Sequence, residues 1–230
     1  MMKKLFLCCT ALSVLAAGIT CILFDQPAVR PVLSSPVAYT IVIDAGHGGE
    51  DGGAVSVTGA AESQINLAIS CKLEDILAFY GTVPIMLRRE DISLHDQSAN
   101  TLREKKVSDL HNRVSRIEDT PNALLISIHQ NTFPDSRYDG AQVFYGPEGE
   151  SAQLAEALQN AFRSTVNPGS SRRSKKADGV YLMEHIDTTG VLIECGFLSN
   201  AEEEAKLRSA DYQKKLCCVI AATVSNHLDR

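Results

Sequence analysis

Four residues of this 230-residue chain have side chains suited to binding a metal or moving a proton and stand just after an apolar run or at the start of a helical period. His47 lies in IVIDAGHGGEDGGA (41–54), just after TIVID. His129 ends ALLISI, in SIHQN, and Glu194 ends GVLI, in IECGFLSN. Glu62 opens the helical period after the His47 loop. That loop is glycine-rich without being a phosphate cradle. A dinucleotide loop needs Gly-x-Gly-x-x-Gly, and counted from Gly46 the last position is Asp51. No Gly-Lys-Ser/Thr follows, and Glu50 and Asp51 repel an anion from the backbone amides that would hold it. Imidazoles and carboxylates suit a cation better. Two imidazoles and one carboxylate are a ligand set for catalytic zinc, which keeps a fourth position for water. Glu194 is then free to take a proton from that water and pass it to the leaving group. Alone, each residue reads equally well as structural, a histidine that tips a strand or a carboxylate that caps a turn. Four at compatible places point to a site.

Those places are set by an alternating pattern. TIVID (40–44), VPIML (83–87), ALLISI (123–128), QVFY (142–145), VYLM (180–183) and GVLIE (190–194) read as strands, several nearly continuous in apolar residues, as in strands covered on both faces. Between them run helical periods: Ile65, Ile69, Leu73, Ile76 and Tyr80; Val107, Leu110, Val114 and Ile117; Leu154, Leu158 and Phe162; and Tyr212, Leu216, Val219, Thr223 and His227. Asn200 followed by Glu203 makes a start resembling a capping box. The pattern implies an α/β sandwich of three layers around a mostly parallel sheet. In such sheets ligands bind beyond the carboxyl ends of the strands, where His47, His129 and Glu194 stand.

The motifs IVIDAGHGGEDGGA, Glu62, SIHQN and VLIECGFLSN, in that order, resemble the zinc-dependent N-acetylmuramoyl-L-alanine amidases of the type 3 family, over residues 40 to 228. The resemblance implies six strands flanked by helices. It also implies zinc ligands at His47, Glu62 and His129, and a catalytic glutamate at Glu194. The substrate it implies is peptidoglycan, glycan strands with peptide stems, cut between N-acetylmuramic acid and L-alanine. Glycines 46, 48 and 49 would leave room for a glycan strand. Gln130 departs from the small residue common in the family; on this reading it touches no ligand position and narrows the cleft. The short chain, with no wall-binding repeats, is similar to the spore-cortex and germination-specific amidases, whose reaction leads toward muramic-lactam. Two other readings stay open: a zinc peptidase acting on stem peptides, and a non-catalytic wall-binding protein with a structural metal. Retention of Glu194 beside three ligands argues against the last, because a structural site favours a closed four-ligand shell.

The rest of the chain constrains where this chemistry happens. A net charge of −6 argues against nucleic acid as the main partner. Lys3 and Lys4 precede an uncharged stretch, residues 5–24, long enough at about 30 Å to cross a bilayer core. Residues 1–24 are therefore read as a signal-anchor or, with Ala16-Ala17-Gly18 as a cleavage site, a signal peptide. Residues 25–38, rich in proline and serine, make a tether, and 39–230 the catalytic domain. The domain is placed outside the cytoplasm, on the outer face of the membrane or released to the wall or cortex. An activating protein partner is left open. Cys195 reads as packing rather than nucleophile, Cys217 and Cys218 as small buried hydrophobes, and His95, His111, His185 and His227 as surface or helix-face residues. Asp44 either orients a ligand histidine or caps the loop. SSRRSKKAD (170–178) is a solvated basic loop or a contact for stem carboxylates or a partner protein.

Overall fold

The computed structural model describes residues 39–228; the hydrophobic segment and tether expected over 1–38 lie outside them. Among the described residues no helix is long and apolar enough to cross a membrane. The chain runs β1 (Thr40–Ala45), α1 (Glu62–Phe79), β2 (Ile85–Met86), α2 (Leu102–Glu118), β3 (Ala123–Asn131), β4 (Gln142–Tyr145), α3 (Glu150–Thr165), β5 (Lys175–Lys176), α4 (Tyr181–His185), β6 (Thr189–Phe197), α5 (Ala201–Leu207) and α6 (Ala210–Leu228). The strands form one six-stranded sheet in the order β2-β1-β3-β6-β4-β5. β2, β1, β3 and β6 are mutually parallel, and β4 runs antiparallel to β6. The sheet is thus mixed but mostly parallel.

Alternation along each strand sorts its side chains to two faces. Ile41 and Ile43 of β1, Leu124, Ile126 and Ile128 of β3, and Val191, Ile193 and Cys195 of β6 share a core with Ile69 and Leu73 of α1, Leu158 and Phe162 of α3, and Leu216 and Ile220 of α6. Val42, Leu125 and Leu192 face the other way, onto Ile117 of α2 and Leu182 and Met183 of α4. Asp44, His129 and Glu194 follow the parity of this second set. The face with the smaller core therefore carries the polar residues, at the carboxyl ends of the strands.

One expected strand is not a strand. Of VYLM, Val180 is an extended N-cap after Gly179 at φ +71° and Tyr181–Met183 open the short helix α4, which buries Leu182 and Met183. A four-residue apolar run fits either a buried strand or one turn of a packed helix, and packing against α2 decides for the helix. The remaining strand is Lys175–Lys176, paired with Phe144 and Tyr145 at the sheet edge; with both lysines exposed it carries no apolar signal. Asn200 does cap α5, accepting from the Glu202 and Glu203 amides, but the reciprocal half of a capping box is missing because Glu203 Oε2 accepts from the Gly140 amide instead (2.7 Å).

Candidate metal and catalytic site

Glu62 is the centre of the site. It opens α1, where the amide dipoles favour a carboxylate, and is almost fully buried. Oε2 accepts from the Ala54 amide (2.9 Å) and lies 3.3 Å from His47 Nε2. Oε1 accepts from the Gln130 amide (3.0 Å) and Asn66 Nδ2 (3.2 Å), and lies 3.0 Å from His129 Nδ1. Burial alone would raise this carboxyl. The hydrogen bonds from His129 and His47 outweigh it and hold Glu62 well below the usual carboxylate range.

His47 sits at φ +61°, unusual for a residue with a Cβ. Two buried arginines brace the loop that holds it there. Arg88 donates from Nε to Ala45 O (2.8 Å) and from Nη2 to Gly46 O (3.0 Å) and Ser63 O (2.9 Å). Arg113 donates from Nη2 to His47 O (2.7 Å) and is ion-paired with buried Asp44, which also accepts from Ser127 Oγ (2.7 Å). Of the two roles open to Asp44, holding the loop is the one its contacts fit, acting through Arg113. The imidazole itself is oriented by Asp51, 3.0 Å from Nδ1. Burial would lower the His47 pKa, but Asp51 and Glu62 raise it to about 9.

Gly46 and Gly53 make room for the site's own side chains, and Gly48 and Gly49 for the close approach of Ile92 and Ser93. A Cβ on Gly46 would lie 2.2 Å from His129 Nε2, and one on Gly53 2.6 Å from Glu62 Oε2. A Cβ on Gly48 would lie 2.3 Å from Ile92 O. Gln130 is buried, its side chain bonded to Asn66 (3.1 Å). It does not narrow the cleft, and through its amide it does touch Glu62. The cleft beside His47 and His129, roughly 330 Å³, is lined by Lys106, Leu110, Tyr181 and Arg113.

His47, Glu62 and His129 each offer one ligand atom, all within 4.8 Å of one another. Zinc bonds of about 2.0–2.1 Å place tetrahedral ligands about 3.3–3.4 Å apart, and His47 Nε2 to Glu62 Oε2 is already 3.3 Å. The donor set and its spacing fit a zinc ion. Glu194 is the register partner of His129, on the same face. Its Oε2 is buried with no hydrogen-bond partner, an expensive state unless something else occupies the site. Burial pushes its carboxyl up to about 7, against the opposing pull of His129.

The remaining residues fall away from this constellation. Cys195 packs in the opposite core, and burial raises its thiol well above the ordinary value, which disfavours a thiolate nucleophile. Cys217 is buried but its neighbour Cys218 is exposed, since adjacent positions on α6 face different ways. Within the basic run, Lys175 and Lys176 are exposed, whereas Arg172 lies 4.7 Å over the Phe197 ring. Asp51, expected only as one of the loop carboxylates that repel an anion and suit a cation, orients His47, and the two bracing arginines were not expected at all. Asp51 stands four residues after His47 in GHGGED, the one signal available; nothing in α2 distinguishes Arg113 from its polar neighbours.

A family profile described as N-acetylmuramoyl-L-alanine amidase matches residues 41–226. The germination-specific N-acetylmuramoyl-L-alanine amidase of Bacillus subtilis (strain 168) is 36% identical over 189 residues, 82% of this chain and 78% of that one. Among solved structures, the CwlD amidase from Clostridioides difficile, in complex with the GerS lipoprotein, superposes with a TM-score of 0.79 at 36% identity, covering 83% of this chain and 98% of that one. The catalytic domain of CwlV, an N-acetylmuramoyl-L-alanine amidase from Bacillus (Paenibacillus) polymyxa, gives 0.70 at 29% identity, covering 84% and 99%.

Proposed function

The chain belongs to the N-acetylmuramoyl-L-alanine amidase family and hydrolyses the amide between N-acetylmuramic acid and L-alanine in peptidoglycan, and from that premise we propose that it does so as a zinc enzyme of the spore cortex. The observation that carries the zinc reading is the convergence of His47, Glu62 and His129, with Glu194 beside them. When bound there, zinc supplies a Lewis acid that polarises the scissile carbonyl and makes water acidic enough to attack at neutral pH. Glu194 takes the proton of the attacking water and returns it to the departing alanine nitrogen, so that the amine leaves neutral. Asp51 keeps the His47 proton on Nδ1, leaving Nε2 as the ligand atom. Arg88 and Arg113 hold the strained loop in place, and Lys106 and Tyr181 wall the cleft.

In this reading residues 39–230 are the catalytic domain, 25–38 a tether and 1–24 a signal-anchor or signal peptide, so that the enzyme works outside the cytoplasm. The cortex role, with muramic-lactam as its downstream product, is supported by the likeness to the germination-specific amidase. The relative solved with a lipoprotein supports an activating protein partner. Digestion of purified peptidoglycan with mass analysis of the fragments tests the reaction. The amidase frees stem peptides beginning with L-alanine and leaves bare muramic acid; stems cut internally, with L-alanine still attached, would replace it with a peptidase. Spores lacking the enzyme should lack muramic-lactam, and spores with normal lactam content would remove the cortex role.

A further inference from the structure

β3 and β6 run on past His129 and Glu194 to Asn131 and Phe197, which are again register partners. The loop leaving β3 carries Phe133 and Tyr138, with ring centroids 4.6 Å apart and 46% and 44% exposed. The Tyr138 ring lies 6.0 Å from that of Phe197, and the Arg172 guanidinium lies 4.7 Å over Phe197 and 5.9 Å over Tyr138. Arg172 is itself fixed, donating from Nε to Asp139 O (2.8 Å) and from Nη1 to Gln142 Oε1 (3.3 Å). Gln142 is the register partner of Glu194 on β4. A continuous row therefore runs from His129 through Glu194, Gln142 and Arg172 to the two aromatic rings. The loop is braced as well: the Phe133 amide donates to Ser199 Oγ (3.0 Å) and Asn200 Nδ2 to Tyr138 O (3.3 Å).

Two adjacent large rings, held half in water on a braced loop next to a catalytic site, are a surface built to meet something. The chemistry of the surroundings narrows what that is. Arg137 in the same loop is ion-paired with Asp135 (2.7 Å), and Arg172 is committed to the rings and to Asp139 O, so what the surface presents most fixedly is the two rings rather than an unpaired cation. A pyranose ring has a face of C–H groups that stacks on an aromatic ring and a rim of hydroxyls that stays wet, and every glycan strand carries one on each side of the muramic acid being cut. We propose that Phe133 and Tyr138 form a stacking subsite for a hexopyranose flanking that muramic acid, so that the enzyme grips the glycan strand and not only the scissile amide. This rests on the amidase reading and adds the part of the substrate that sets affinity.

The test uses the purified full-length chain and two probes: peptide-free glycan strands, whose binding involves no hydrolysis, and a pair of substrates, one muramyl peptide and one chain of several disaccharides. Phe133→Ala should weaken glycan binding about 5- to 10-fold, the range of one aromatic contact, and lower by a similar factor the preference in kcat/KM for the long substrate over the short one. Phe133→Trp should restore both, and Phe133→Leu, which keeps apolar bulk without a ring, should not. Unchanged glycan affinity in Phe133→Ala, or rescue by leucine, overturns the subsite. An enzyme that cuts no muramyl–alanine bond yet shows the Phe133 effect on glycan binding would sink the amidase reading instead; cleavage without that effect removes the subsite alone.

Discussion

His47 and Asp51, four residues apart in one loop, hold each other through Nδ1 and Oδ2 at 3.0 Å, which leaves His47 Nε2 facing Glu62. A ligand histidine anchored by a carboxylate has its tautomer and ring orientation fixed before metal arrives, and loss of such an anchor typically costs about 10–100-fold in metal affinity. Asp51→Ala should therefore weaken zinc binding by that factor with the protein still folded. Competition with a chelator of known affinity measures it, and an affinity equal to wild type would mean that Asp51 only shapes the loop.

The same contact sets a pH dependence in the metal-free protein. His47 is raised to about 9, above its unfolded value of about 6.5. Its stabilisation is thus fully present below about pH 6.5 and fades as pH rises through about 9. Asp51, with its pKa depressed chiefly by the hydrogen bond from His47, contributes stability above about pH 3.8 that is lost as pH falls through its folded pKa. Zinc must displace the His47 proton, so the apparent zinc affinity of the stripped enzyme should climb about tenfold per pH unit from about pH 7 to 8 and less steeply as pH approaches about 9. Titration at three pH values checks the slope, and a flat profile would remove His47 from the ligand set.

Beneath the loop, Arg113 and Asp44 are paired out of reach of water. Deleting Asp44 leaves Arg113 buried with Asp109 as its one remaining carboxylate (2.6 Å), so the cost stays below the about 3–5 kcal/mol of a fully stranded charge. Asp44→Ala should lower the melting temperature, and whatever remains folded should bind zinc more weakly because Arg113, held by Asp109 alone, fixes His47 O less firmly. Urea melts of the wild type and the variant read the first effect, and zinc content of the folded fraction reads the second. A variant as stable as wild type would contradict this placement of the charge.

Much of the fold was legible because helices and buried strands announce themselves through apolar periodicity: Ile65 to Leu77 give one face of α1, and ALLISI is covered on both sides. VYLM and Lys175–Lys176 were not legible. A run of four apolar residues suits two conformations, and a two-residue exposed edge strand needs no apolar side chain at all. The site divides in the same way. His47, His129 and Glu194 were readable as polar residues at strand ends, and Glu62 by its place at a helix start. What supports them was not. Arg88, Arg113 and Asn66 lie 20 to 66 residues from the loop carbonyls they hold, and only folding brings them together. The loop glycines were only partly legible for a related reason: a missing side chain says that something approaches, and what approaches is His129 at Gly46, Glu62 at Gly53 and the Ile92–Ser93 backbone at Gly48 and Gly49.

The central claim, that three residues hold zinc while a fourth carries the proton, turns on Glu194→Gln. Glutamine keeps the shape and hydrogen-bonding reach of the buried carboxyl beside His129 but has no base. Zinc content, melting temperature and release of L-alanine-terminated stems should be measured on one preparation. The account predicts about one zinc per chain, a melting temperature close to wild type, and turnover lower by roughly 10²–10⁴-fold. A folded, zinc-loaded Glu194→Gln that still turns over at a rate near wild type would contradict it.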